Sequence, residues 1–365
     1  MSTVPCGVLR SRIRYDPWTV RSIAALVALA LLQAPLALPP TRDQLFALFG
    51  SYLDSLRVQA GIPGLAAAVI DGDGIVWEQA FGQQDVARSL ATRTDTPFHL
   101  DGLTQVVTAS LVLRCVQDGH LTLDTPIGSF NPGSADAQAT VGQILTHTSG
   151  TASDPVFSYR PDRFDVLASV VSTCTGSSFR LAVARTLERL AMTDSMPGPD
   201  AANDSSLAGD AGRFRNIIDR MAIPYSVDAQ GRAAPSRYPA TTLTPSAGLV
   251  STVLDFAKFD LGLRKGNLLS ADTVAAAWRP PVSSNGRPLP HGMGWFVQTY
   301  EGEPVVWQFG SGAGASSSLV MTLPARGITL VMLANSDGLA KPATLASGDI
   351  TASPFARLFF QVLIK

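Results

Sequence analysis

Lysine is nearly missing from this sequence. The 365-residue chain holds four, Lys258, Lys265, Lys341 and Lys365, against 24 arginines. Three residues before them stand Asp255, Gly262, Gly338 and Val362, so no Ser-x-x-Lys occurs anywhere. Cysteine occurs three times, at positions 6, 115 and 174. That is too few for a disulfide-built fold and too scattered for a zinc site. The four histidines, His99, His120, His147 and His291, lack metal-binding spacing such as His-Glu-x-x-His, and no Gly-x-Ser-x-Gly elbow is present. The small-residue run 310–318 has no Lys-Ser or Lys-Thr after it to make a phosphate loop. It reads as a strand edge shaped for close backbone approach. No metal and no cofactor is expected. Charge is thin as well, at 16% of residues with a net of −1, so no broad field draws the chain to nucleic acid. Apolar residues make up 46%, which excludes a disordered chain and suits one large core.

Residues 1–21 carry Arg10, Arg12, Arg14 and Arg21 against a single acid, Asp16, and residues 22–38 are apolar except for Ser22 and Gln33. A basic flank before an apolar stretch is the pattern of a secretory signal or a retained anchor. Residues 1–40 are therefore read as a signal peptide or membrane anchor. The rest is placed outside the cytoplasm, periplasmic or otherwise extracytoplasmic, with membrane attachment through residues 22–38 if the segment is kept. Cys115 and Cys174 fall in apolar helix-like runs and read as small buried hydrophobes, with a disulfide between them as the minor alternative.

Thr41 to Gln44 forms a capping box ahead of helically spaced apolar residues 45–56. Leu65–Ile70, the turn Asp71–Gly74 and Ile75–Phe81 form a hairpin. Residues 103–117 make an apolar helix enclosed on most sides, and residues 164–191 are helical with a break at Gly176. Residues 197–246 read as loops with short elements, and 248–263 and 270–278 as helices. Strand patterns follow from Gly294, and residues 354–365 close the chain as an apolar helix. Strands at both ends with helices between predict a mixed α/β domain: 41–105 and 285–365 together, with a helical region at 106–284.

Seven segments, in order, give the chain a family resemblance. They are IPGLAAAVIDGDGIVWEQAFG, the stretch from DTPFHLDGLTQ to DTPI, ILTHTSG, FSYRPDRFDVLASVVSTCTGSSF, TPSAGLVSTVLDFAKF, HGMGW, and WQFGSGAGASSSLVMTLPARGITLVMLANSDG. The chain resembles the penicillin-binding-protein and serine β-lactamase superfamily, in its class C and D,D-peptidase-like branch. The resemblance implies an antiparallel sheet built from both chain ends and flanked by helices, with a mostly helical inserted region. It also implies acyl transfer by a serine at a helix start, with lysine one turn on as base and a tyrosine as relay. A strand motif, Lys-Thr-Gly or His-x-Gly, faces the nucleophile, and backbone N–H groups hold the oxyanion.

At the matching positions the chemistry is missing. Gly102 stands for the serine and Gln105 for the lysine. Tyr-x-Asn becomes Tyr159-Arg160-Pro161, and His-x-Gly becomes Gln308-Phe309-Gly310. Losing nucleophile or base costs on the order of 10⁶ in turnover. An oxyanion hole alone leaves about 10³ over water, and a Gly102 N–H could serve one. The expectation is a catalytically inactive homologue in the cell envelope, with Gly102 leaving room where an adduct would form. It would hold a peptide or acyl ligand in the family cleft, or a protein partner, and no nucleic acid. The alternative is a serine hydrolase, esterase or β-lactamase-like acyl transferase with a displaced nucleophile. Ser149 beside His147 reads as structural rather than as such a pair.

Overall fold

The computed structural model describes residues 39–151 and 153–364; residues 1–38 of the segment read as a signal or anchor lie outside them. Its centre is a seven-stranded antiparallel sheet in the order β10-β11-β12-β13-β1-β2-β3. β1 (Gly64–Asp71), β2 (Gly74–Asp85) and β3 (Leu90–Ala91) come from the start of the chain. β10 (Phe296–Tyr300), β11 (Glu303–Gly312), β12 (Ser316–Leu323) and β13 (Ile328–Ala334) come from its end. The two halves join where Leu65 faces Ala334 and Asp71 faces Ile328. Both faces are covered at β1 and β13, which is why these two strands read as unbroken apolar runs, while β2 and β3, at one edge of the sheet, are exposed or half-buried over most of their length. Leu65, Ala67 and Val69 belong to one core, and Ala66, Ala68 and Ile70 to the other.

Helix α1 (Arg42–Gln59) starts at the Thr41–Gln44 box, with Thr41 N–H donating to Gln44 Oε1 at 2.9 Å and Gln44 N–H to Thr41 Oγ1 at 3.3 Å. Its Phe46, Phe49 and Leu53 fill the first core, with the C-terminal Phe355, Phe359 and Phe360. α2 (Thr104–Gln117) runs through the second core with ten of its 14 residues buried. Beside it lie α4 (Leu167–Thr175), closed by Gly176 at φ +64°, and α5 (Phe179–Arg189). α3 (Val141–Leu145), α7 (Val253–Arg264) and α8 (Ala271–Ala277) complete the layer. Among the described residues no single helix is long and apolar enough to cross a membrane.

Three features differ from the sequence expectations. Cys115 and Cys174 form a disulfide between α2 and α4, with Cα atoms 6.2 Å apart. Apolar neighbours did not separate the two readings, because packing α4 on α2 buries the residues and joins them at once. The segment read as loops with short elements carries a ten-residue helix, α6 (Ala211–Arg220), whose buried side chains are Phe214 and Ile217 and whose Arg213 and Arg220 donate to the carbonyls of Thr193, Ser195 and Asp95. The ILTHTSG string runs into a hairpin, β5 (Thr148–Thr151) with β6 (Asp154–Phe157).

Candidate functional site

The site forms where the start of α2 meets β11. Residues Asp101–Leu103 make a 3₁₀ turn that leads into α2. Asp101 occupies the left-handed region at φ +47°. Its buried carboxylate holds that conformation: it lies 2.9 Å from His99 Nδ1 and accepts from Ser316 Oγ at 2.6 Å. Ser318 Oγ donates to the Leu100 carbonyl at 2.6 Å, so β12 also ties down the segment before Gly102.

β11 passes against Gly102 with no gap for a side chain. A Cβ on Gly102 would sit 2.5 Å from the Phe309 carbonyl oxygen and 3.3 Å from Gly310 Cα. A Cβ on Gly310 would sit 2.2 Å from the Leu100 oxygen and 2.8 Å from Gly102 N. Each glycine is needed by the other's strand or turn. The expected room for an adduct at Gly102 is thus corrected: the Phe309 carbonyl takes that space. The open volume lies beside it, in a cleft of about 520 Å³ lined in part by Gly102, Gln105, Tyr159, Pro161, Phe309 and Ser311.

Gln105, at the lysine position, is fully buried. Its Nε2 donates to the Tyr159 hydroxyl at 3.1 Å. Its Oε1 lies 3.0 Å from His147 Nε2. His147 Nδ1 accepts the backbone N–H of Arg160 at 3.2 Å, so Nε2 carries the proton and donates to Gln105. Burial, and then the Arg163 charge, push the His147 pKa from 6.5 down to about 3. Burial raises the Tyr159 phenol above its ordinary value despite the Gln105 hydrogen bond. His291, edge-on to His147 at 4.7 Å between ring centroids, is lowered well below its ordinary value, by burial first and His147 second. At neutral pH Gln105, Tyr159 and His147 are therefore all uncharged.

The structure brings Gly102, Gln105, Tyr159 and Pro161 together around the cleft, with Gly310 behind Gly102. Gln308 does not join them. It is buried, its Nε2 donates to the Gly294 carbonyl at 3.3 Å, and its Oε1 accepts the Phe309 N–H at 2.9 Å. Sequence reasoning missed His147 as a partner of Gln105, having weighed it as a metal ligand and as a partner of Ser149, and it missed Asp101. Ser149 stands on the exposed hairpin, away from the ring nitrogens that Gln105 and Arg160 engage. Among the described residues no group of three His, Cys, Asp or Glu side chains could hold a metal ion.

A sheet joined from both chain ends, with an enclosed helix starting opposite one of its strands, is the architecture of serine acyl transferases of the penicillin-binding-protein type. The chain belongs to the Beta-lactamase family, whose sequence model matches residues 42–351. It is 26% identical to penicillin-binding protein 4 of Amycolatopsis lactamdurans over 358 residues, covering 85% of this chain and 87% of that protein. It is 32% identical to esterase EstB of Burkholderia gladioli, over only 32% of this chain and 31% of that protein. D-amino acid amidase from Ochrobactrum anthropi superposes with a TM-score of 0.68 at 19% identity, covering 88% of this chain and 98% of that one. The octameric penicillin-binding protein homologue from Pyrococcus abyssi also gives 0.68, at 20% identity, covering 80% and 74%.

Proposed function

We propose that this protein is a non-catalytic member of the family that holds a peptide or acyl ligand in the cleft beside Gly102 without forming an acyl-enzyme. The observation that carries the reading is the closed state of both key positions. The place of a nucleophile side chain is filled by the Phe309 carbonyl, and the place of the base is filled by an amide bonded at both ends. A glutamine amide takes no proton near neutral pH. His147 cannot stand in as a base, since Nδ1 already accepts from Arg160 and Nε2 carries the proton. The cleft itself stays open, with Tyr159 and Phe309 as apolar walls and Ser311 at its side. Recognition without turnover needs only that cleft.

The competing reading, a hydrolase with a displaced serine, would draw on Ser246 or Ser311, which line the cleft. Ser246 Oγ is bonded to Thr244 Oγ1 at 3.0 Å, and no histidine or lysine bonds either hydroxyl among the described residues. The Cys115–Cys174 disulfide fits a protein that works in an oxidising compartment, and with the basic-then-apolar residues 1–38 it supports an exported protein.

The test is intact-mass spectrometry after incubation with a reactive β-lactam and, separately, with a fluorophosphonate. The expected result is no added mass on protein that still melts cooperatively. An adduct mapped to Ser246, Ser311 or any other serine would replace this reading with the hydrolase.

A further inference from the structure

A second cavity, of about 290 Å³, opens between α2, α4 and α5 and shares no lining residue with the cleft. Three guanidinium groups line it: Arg114 on α2, and Arg185 and Arg189 on α5, with the His120 imidazole beside them. Its one carboxylate, Asp118, is taken by Arg114 Nε at 2.7 Å. Arg185 and Arg189 have no ion pair or hydrogen bond among the described residues. They stand one turn apart on a single helix, a spacing at which like charges repel. Arg114 is engaged a second time, its Nη1 donating to the Leu268 carbonyl in the loop before α8 at 3.4 Å. A chain of net charge −1 thus gathers an uncompensated positive charge in one cavity.

We propose that this cavity binds a phosphate-type oxyanion carrying about two negative charges. Guanidinium forks match phosphate oxygens in bidentate geometry, and a pair of unengaged forks on one helix face can grip one group from two sides. The Ser177 hydroxyl in the lining adds a polar contact. At about 30 Å³ of liquid volume per water, the cavity has room for a phosphate and a few further heavy atoms. The Cys115–Cys174 bridge lies in its wall and fixes α2 to α4, so the cavity is held open before a ligand arrives. The phosphate could be free or the headgroup of a lipid, and the experiment separates the two.

The test uses the full chain at fixed ionic strength. One arm titrates inorganic phosphate by calorimetry. The other measures co-sedimentation with phosphatidylcholine vesicles with and without phosphatidic acid. Arg185→Gln with Arg189→Gln is the informative variant, because both side chains are exposed and its fold is checked by circular dichroism. Arg232→Gln, at an exposed arginine paired with Asp228 that lines neither cavity, is the control for loss of positive charge. The expected result is saturable binding in one arm, weakened roughly tenfold or more by the double arginine variant and unchanged by the control. Binding in the first arm identifies free phosphate, and binding in the second alone identifies a lipid headgroup. No saturable binding in either arm, or equal binding by the double variant, would overturn the proposal.

Discussion

His147 and Gln105 meet at 3.0 Å, and their bond makes a neutral chain where the family's acid–base chemistry would sit. The chain runs from the Arg160 N–H through the imidazole and the amide to the Tyr159 hydroxyl. Gln105 and His147 are buried and Tyr159 is half-buried, which makes the chain costly to break. Gln105→Leu would leave the His147 N–H without its acceptor and Tyr159 without its donor. The expected loss is about 2–3 kcal/mol of unfolding free energy, read from urea denaturation. Tyr159→Phe removes only one end and should cost about 1 kcal/mol. Equal costs for the two variants would show that the amide is not shared.

Restoring the missing residues should not restore chemistry. A serine at 102 would place its Cβ 2.5 Å from the Phe309 oxygen, a backbone atom that cannot rotate away. A lysine at 105 would put an ammonium into a site that burial keeps uncharged, which lowers its pKa and strains the fold. Gly102→Ser alone should destabilise by about 1–3 kcal/mol, the usual range for overpacking. Gly102→Ser with Gln105→Lys should give neither an acyl adduct by mass nor turnover of a chromogenic β-lactam. A stable adduct on residue 102 would mean that β11 yields and that the two substitutions alone had silenced the site.

The central sheet and the enclosed helix were legible because their patterns are strong. β13 is seven buried residues bounded by the Pro324–Gly327 turn, and α2 has one charge, Arg114, in its 14 residues. The losses at Gly102 and Gln105 were equally legible, since a missing Ser-x-x-Lys needs no structure. What replaced them was not. The partners of Gln105 lie 42 and 54 residues away, and nothing local marks either. The Phe309 carbonyl is a backbone group, and any residue at 309 would carry it. The β5–β6 hairpin starts with Thr148-Ser149-Gly150-Thr151, which has no apolar alternation to reveal a strand. α6 has only two buried apolar residues to show its period. The disulfide spans 59 residues, a spacing with no signature of its own.

Stability should fall as pH falls through the histidine range. The folded pKa of His147 is about 3 and its ordinary value is 6.5, so the unfolded chain binds the extra proton first. Stability from neutral His147 is complete above 6.5 and is lost as pH drops toward 3, at up to about 1.4 kcal/mol per pH unit. His291 moves in the same direction, because burial lowers it too. Urea midpoints at pH 7.5, 5.5 and 4.5 measure the slope, and His147→Asn isolates one histidine from the carboxylates. The variant should be less stable than the wild type at pH 7.5, with the difference shrinking as pH falls. Parallel pH profiles would show that His147 titrates normally in the fold.

The disulfide should contribute stability on the scale of a whole secondary element. It closes a loop between Cys115 and Cys174, 59 residues apart, that holds α3, the β5–β6 hairpin and most of α4. Loop-closure entropy for that length amounts to about 4 kcal/mol in the unfolded chain, and native strain or residual structure lowers the realised value. Cys115→Ser with Cys174→Ser should therefore unfold at lower urea, with a loss of about 2–4 kcal/mol. Reducing agent should shift the wild type by a similar amount and leave the double variant unmoved. The two serines also add hydroxyls to a wall that is buried at Cys115, so Cys115→Ala with Cys174→Ala controls for burial. If reducing agent leaves the wild-type midpoint unchanged while thiol labelling shows both cysteines reduced, the bridge closes no entropy of consequence, and packing alone holds α2 against α4.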